Sequence, residues 1–129
     1  MKLNLKILIH FGKIKKNKIQ KKTWQLANLA YNIVENNEDH PNYEWARWHL
    51  VRGLASCTFW WASGKDFSKT YGPRAWNPDE IEKRIIEFIK AIRSLESRTS
   101  LATKIKAEKL VLNIKKNIWK THWKKYARN

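Results

Sequence analysis

Residues 77–95 read NPDEIEKRIIEFIKAIRSL, and this stretch decides the fold class. Asn77 supplies an N-cap, Pro78 suits the first helical position, and Glu80 sits where its side chain can reach back to the cap amide. Asp79 and Glu80 also complement the positive end of a helix dipole. Behind this start, Ile81, Ile85, Phe88, Ile89, Ile92 and Leu95 recur at helical spacing and form one apolar stripe. Glu82, Lys83, Glu87, Lys90 and Arg93 occupy the rest of the surface and are expected to face water. A helix with one apolar stripe has to bury it against other elements, so its neighbours determine the architecture.

The upstream neighbour is expected over residues 41–63, closed by Gly64. At 100° per residue, Tyr43, Ala46, Leu50, Leu54, Cys57 and Trp61 share one face, with Trp45, His49, Arg52, Ser56, Phe59 and Trp60 opposite. Glu44, Arg47 and Arg52 are its only charges. A helix apolar on nearly all sides is normally central, which makes this tryptophan-rich segment the expected core. A further helix is predicted over residues 24–36, with Thr23 as cap and Ala27, Ala30, Tyr31 and Val34 at helical spacing. Asn36, Asn37 and the turn-forming residues 39–42 end it.

Downstream, a long helix is predicted over residues 100–126. It carries two apolar stripes, Leu101, Ile105, Leu112, Trp119, Trp123 and Tyr126 on one side and Ala107, Leu110, Val111, Ile114 and Ile118 on another. Both are expected to pack on the bundle, leaving Lys106, Lys109, Lys116, Lys120 and Lys124 in water. The fold class is therefore all-α, a bundle of about four helices around a central tryptophan-rich helix. Residues 23–129 form the helical domain, and residues 1–22 form a basic N-terminal arm. Leu3, Leu5, Ile7 and Ile9 alternate in the manner of a strand, but a single strand has no partner here.

The 129 residues suit one domain, large enough to bury a core without disulfides or structural metal. One cysteine, Cys57, builds no intramolecular disulfide. Four glycines, three prolines and 43% hydrophobic residues fit neither a collagen-like nor a wholly disordered chain. No cleavable leader pattern follows the short apolar run near the start, and no stretch approaches the ~20 apolar residues of a membrane span. The cytoplasm is the default expectation.

The formal net charge is +16. It divides as +8 over residues 1–22, −2 over 23–63, +2 over 64–99 and +8 over 100–129. Such termini attract nucleic acid or anionic membrane through a salt-screened field. A lysine, isoleucine and asparagine bias of the kind an AT-rich coding sequence produces explains the same charge without a partner. If the lysines do bind, Lys106, Lys109, Lys116, Lys120 and Lys124 with the arm would track phosphates non-specifically, since no groove-reading motif is present. Adsorption to an anionic membrane ranks lower, because the apolar stripes beside the lysines are needed for packing.

Chemistry-bearing motifs are sparse. The four histidines are scattered without the spacing that puts two imidazoles on one metal, and neither a metal nor a cofactor site is expected. His49 and Cys57 form the sharpest nucleophile pair, but lie eight residues and about 80° apart on one helix, where a small buried cysteine is the ordinary explanation. No catalytic residue is assigned. The eight tryptophans need explaining, since flat indoles serve as core fillers or as stacking platforms for sugars, bases and cations. Arg52 and His49, beside Trp45, Ser56 and Trp60, make a polar notch that is either a satisfied core network or one wall of a ligand cleft.

The run 52–63, RGLASCTFWWAS, followed by Pro78-Asp79-Glu80-Ile81 and its helix, resembles the helical region after the barrel in glycoside hydrolase family 57 and related carbohydrate-active proteins. There a helix ends in a small-small-Ser-Asp-Trp-x-Trp-Trp type segment beside the sugar cleft. Ser56, Trp60 and Trp61 match that pattern, while Cys57 stands where an acid is expected and Thr58 where the first aromatic is. The resemblance spans residues 43–95. It implies a non-catalytic module detached from the barrel that carries catalysis in that family, binding carbohydrate or a protein partner through Trp45, His49, Arg52, Ser56, Trp60, Trp61 and Trp76.

Overall fold

The computed structural model describes residues 18–54, 77–95 and 99–126 of the chain. Among these residues four helices pack together: α1 (Lys18–Glu35), α2 (Tyr43–Gly53), α3 (Pro78–Arg93) and α4 (Leu101–Tyr126). No strand occurs among the described residues, and the all-α bundle stands. Residues 1–17 of the basic arm, and the part of the expected second helix beyond Leu54, lie outside the described residues.

Among the described helices, α3 packs on all the others, α1, α2 and α4, and its whole expected stripe, from Ile81 to Leu95, is buried. Of the expected tryptophan-rich helix the described part, α2, buries Ala46, Leu50 and Gly53, followed by Leu54. Its small residues explain the geometry. With Ala46 and Gly53 facing inward α2 comes close to α3, and the bulky indoles of Trp45 and Trp48 turn outward.

Asn77 caps α3 as its sequence requires: in an extended conformation, its Oδ1 accepts the Glu80 N–H at 3.2 Å. Lys90 and Arg93 in the last turn suit the opposite dipole end. The Asn42 side chain donates to the Ser94 carbonyl at 3.1 Å, tying the α1–α2 turn to the end of α3. Buried His40 stiffens the same turn, its Nδ1 accepting the Asn42 N–H at 2.9 Å.

α1 begins at Lys18, earlier than the expected start at Trp24. Ile19 extends the inward row of Leu26, Ala27, Ala30 and Val34 by one more turn, so burial carries the helix back past the lysines. Thr23 accordingly caps nothing. It is buried in mid-helix, and its hydroxyl donates to the Ile19 carbonyl at 2.9 Å, a back-bond to residue i−4.

α4 starts at Leu101, where the Ser100 hydroxyl accepts the Thr103 N–H at 3.2 Å. Ala107, Val111, Ile114 and Ile118 are buried and Leu110 packs partly against them. The other apolar stripe was expected to pack as well. Instead Leu101, Ile105, Leu112 and Trp123 are exposed, while Trp119 is half-buried. The reason is geometric: among the described residues α4 lies against α3 and α1 with one side, and a helix on the outside of a bundle has one inward face. Arg93 and Glu108 join α3 to α4 through paired hydrogen bonds of 2.9 and 2.7 Å.

Candidate functional site

α2 places Trp45, Trp48, His49 and Arg52 on its outer and lateral surface, at spacings of three and four residues that stack side chains along a helix. Trp45 and Trp48 are stacked with centroids 5.3 Å apart and planes inclined by 29°. The Arg52 guanidinium lies over the Trp48 ring at 4.6 Å, within cation–π range. His49 meets the Trp48 ring edge-on at 5.0 Å. Trp45 is 60% and Trp48 44% exposed, so this ladder of flat groups is open to water.

Glu87 of α3 anchors it from below. Its Oε2 lies 2.8 Å from His49 Nδ1, and its Oε1 lies 3.4 Å from Arg52 Nε, an ion pair looser than a hydrogen bond. Burial pushes the Glu87 carboxyl up, but the His49 hydrogen bond and the Arg52 guanidinium outweigh it and hold the group below its ordinary value. The acid was expected to face water. It is buried instead, because α2 sets His49 and Arg52 one turn apart directly against it. Arg84 adds a longer contact, its Nη1 3.5 Å from the Arg52 carbonyl near the end of α2.

Of the residues the sequence singled out, the structure brings Trp45, His49 and Arg52 together. Ser56, Trp60, Trp61 and Trp76, like Cys57, lie outside the described residues. Trp48 and Glu87 join Trp45, His49 and Arg52, though neither was among the candidate site residues. Trp48 carried a signal, standing three residues after Trp45 and four before Arg52; Glu87 carried only an indirect one, the need of a buried polar notch for a counter-charge.

A second chemically distinct surface lies on α4. Lys106, Lys109, Lys116, Lys120 and Lys124 are all exposed, as expected. Two shallow depressions of 490 Å³ and 340 Å³ share Lys106 and Leu110, the smaller reaching Asn28 and Asn32 of α1. At the far end, buried His122 stands edge-on to Trp119 and Trp123, at 5.6 and 5.0 Å. Burial pushes the His122 imidazole below its ordinary value, and Asp79 pulls weakly the other way. Trp119 donates its indole N–H to Glu82 at 2.7 Å, and Lys115 pairs with the same carboxylate at 3.2 Å.

Among the described residues no three His, Cys, Asp or Glu side chains are grouped to hold a metal ion. No described helix is long and apolar enough to cross a membrane. Comparison of the chain with protein-family models, with curated proteins and with solved structures gives no match.

Proposed function

We propose that the chain is a non-catalytic helical module that binds carbohydrate, kin to the accessory helical region of family 57 type proteins. The observation that carries this reading is the exposed Trp45–Trp48 stack, held flat by Arg52 and fixed from beneath by Glu87. The more exposed indole, Trp45, suits the apolar C–H face of a sugar ring, while the part-exposed Arg52 guanidinium over Trp48 offers N–H donors to hydroxyls at the platform edge. Pre-organisation supports the same role. A platform already ordered by an interhelical ion pair spends less binding energy on fixing its side chains. The sequence resemblance implies Ser56, Trp60, Trp61 and Trp76 as further carbohydrate contacts.

Titration of the isotopically labelled chain with α-glucan oligosaccharides tests the proposal. The indole N–H signals of Trp45 and Trp48 should move together and saturably, and Trp45→Ala should abolish the response while circular dichroism stays unchanged. If no oligosaccharide moves either indole signal, the carbohydrate assignment falls.

A further inference from the structure

The outward face of α4 carries an apolar row and a cationic row side by side. Leu101, Leu112 and Trp123 are 72%, 66% and 58% exposed, with Ile105 between them. At 100° per residue these four fall within about 40° of one another. At 1.5 Å per residue the row is about 33 Å long. Lys109, Lys116, Lys120 and Lys124 line the adjacent sector, all exposed. The one acid of α4, Glu108, is turned to Arg93 at the α3 side, so no carboxylate opposes these lysines from their own helix.

We propose that this face of α4 docks on an anionic lipid surface, with the helix lying in the plane of the interface. Charge decides between the occupants. A second copy of a +16 chain would bring the same lysine row against itself. A nucleic acid would neutralise the lysines and leave Leu101, Leu112 and Trp123 in water. An anionic bilayer does both things in one plane, taking the apolar row below the headgroups and the ammonium groups to the phosphates, the arrangement of interfacial amphipathic helices. Trp123 on the apolar row suits such a helix, since amphipathic indoles favour the interfacial region. The inward residues Ala107, Val111, Ile114 and Ile118 remain in the bundle core, so adsorption requires no unfolding. None of the residues of the α2 platform is used.

The test mixes the full chain with phosphatidylcholine vesicles, with or without phosphatidylglycerol, and measures co-sedimentation and tryptophan emission. Partitioning should be at least about tenfold greater on the phosphatidylglycerol vesicles, with an emission blue shift. Leu112→Ser combined with Trp123→Ser should weaken it by at least about tenfold, since both side chains leave the apolar phase. Lys109→Gln, Lys116→Gln and Lys120→Gln together should remove the preference for the anionic lipid. All five positions are exposed, so circular dichroism should keep the parent's helix content, with a lower thermal midpoint only where Trp123 no longer covers His122. Equal partitioning on both vesicles would overturn the proposal. So would a double serine variant that binds as the parent does, which would leave lysines alone as the binding element and point to nucleic acid. A concentration-dependent dimer abolished by Leu112→Ser, without lipid binding, would assign the face to a second copy instead.

Discussion

Gly53 of α2 stands so close to Phe88 of α3 that a Cβ at that position would lie 2.6 Å from Cε1 and 2.7 Å from Cδ1 of the ring. Phe88 is completely buried, and a ring held on all sides cannot swing away cheaply. Gly53→Ala should therefore destabilise the chain by about 1–3 kcal/mol through overpacking, despite the ~1 kcal/mol that alanine gains over glycine in a helix. Urea denaturation measures the loss. Adding Phe88→Leu should return part of it, because two substitutions sharing one contact are not additive; a simple sum of two losses would contradict the close approach.

The Glu87 carboxylate should make stability fall in acid. Its folded value lies below its ordinary one, so the ionised form stabilises the fold above the unfolded value. That contribution is lost as pH drops through the lower folded value. Glu87→Gln removes the charge while keeping the shape, and should cost about 1–3 kcal/mol at neutral pH. Denaturation midpoints followed from neutral pH into the acid range should converge for parent and variant at the acid end. Parallel curves would mean that the charge on Glu87 contributes nothing.

His122 works in the opposite chemical sense. Burial lowers its folded value, so the neutral ring is the form the fold prefers, and protonation penalises the native state. Stability should decline as pH falls through the ordinary value of about 6.5 toward the lower folded one. Proton NMR of the His122 ring should show titration below that ordinary value. His122→Phe should flatten the dependence of the thermal midpoint between neutral and mildly acid pH; a variant with the parent's slope would exclude His122 as its source.

The legible part of the fold was the part with a single physical cause. Asn77 and Pro78 set a helix start by local chemistry, and the isoleucines of α3 by one-sided periodicity, so both appear where the sequence puts them. Periodicity says which residues share a face, but not how many faces find a partner. Hence the Leu101 to Trp123 stripe, as regular as the Ala107 to Ile118 stripe, is left in water. The α2 half of the site was legible in Trp45, His49 and Arg52 because their spacing is intrahelical. Glu87 was not, since its burial follows from how α2 and α3 are docked, a relation between residues 38 apart.

The two helix caps should separate global from local stability. Asn77 Oδ1 and Ser100 Oγ each accept an N–H three residues on, at the same 3.2 Å, yet their surroundings differ. Asn77 is buried at the start of the helix packed on all the others, so the first turn of α3 cannot open alone without exposing Ile81 and Pro78. Asn77→Ala should lower global stability by about 1 kcal/mol with an unchanged denaturant slope. Ser100 is exposed and begins a helix whose first residues, Leu101 and Ala102, are exposed too. Ser100→Ala should instead speed hydrogen exchange at the first amides of α4, while the global midpoint moves little. Equal shifts in the midpoint from both substitutions would mean that the first turn of α4 unfolds only with the whole bundle.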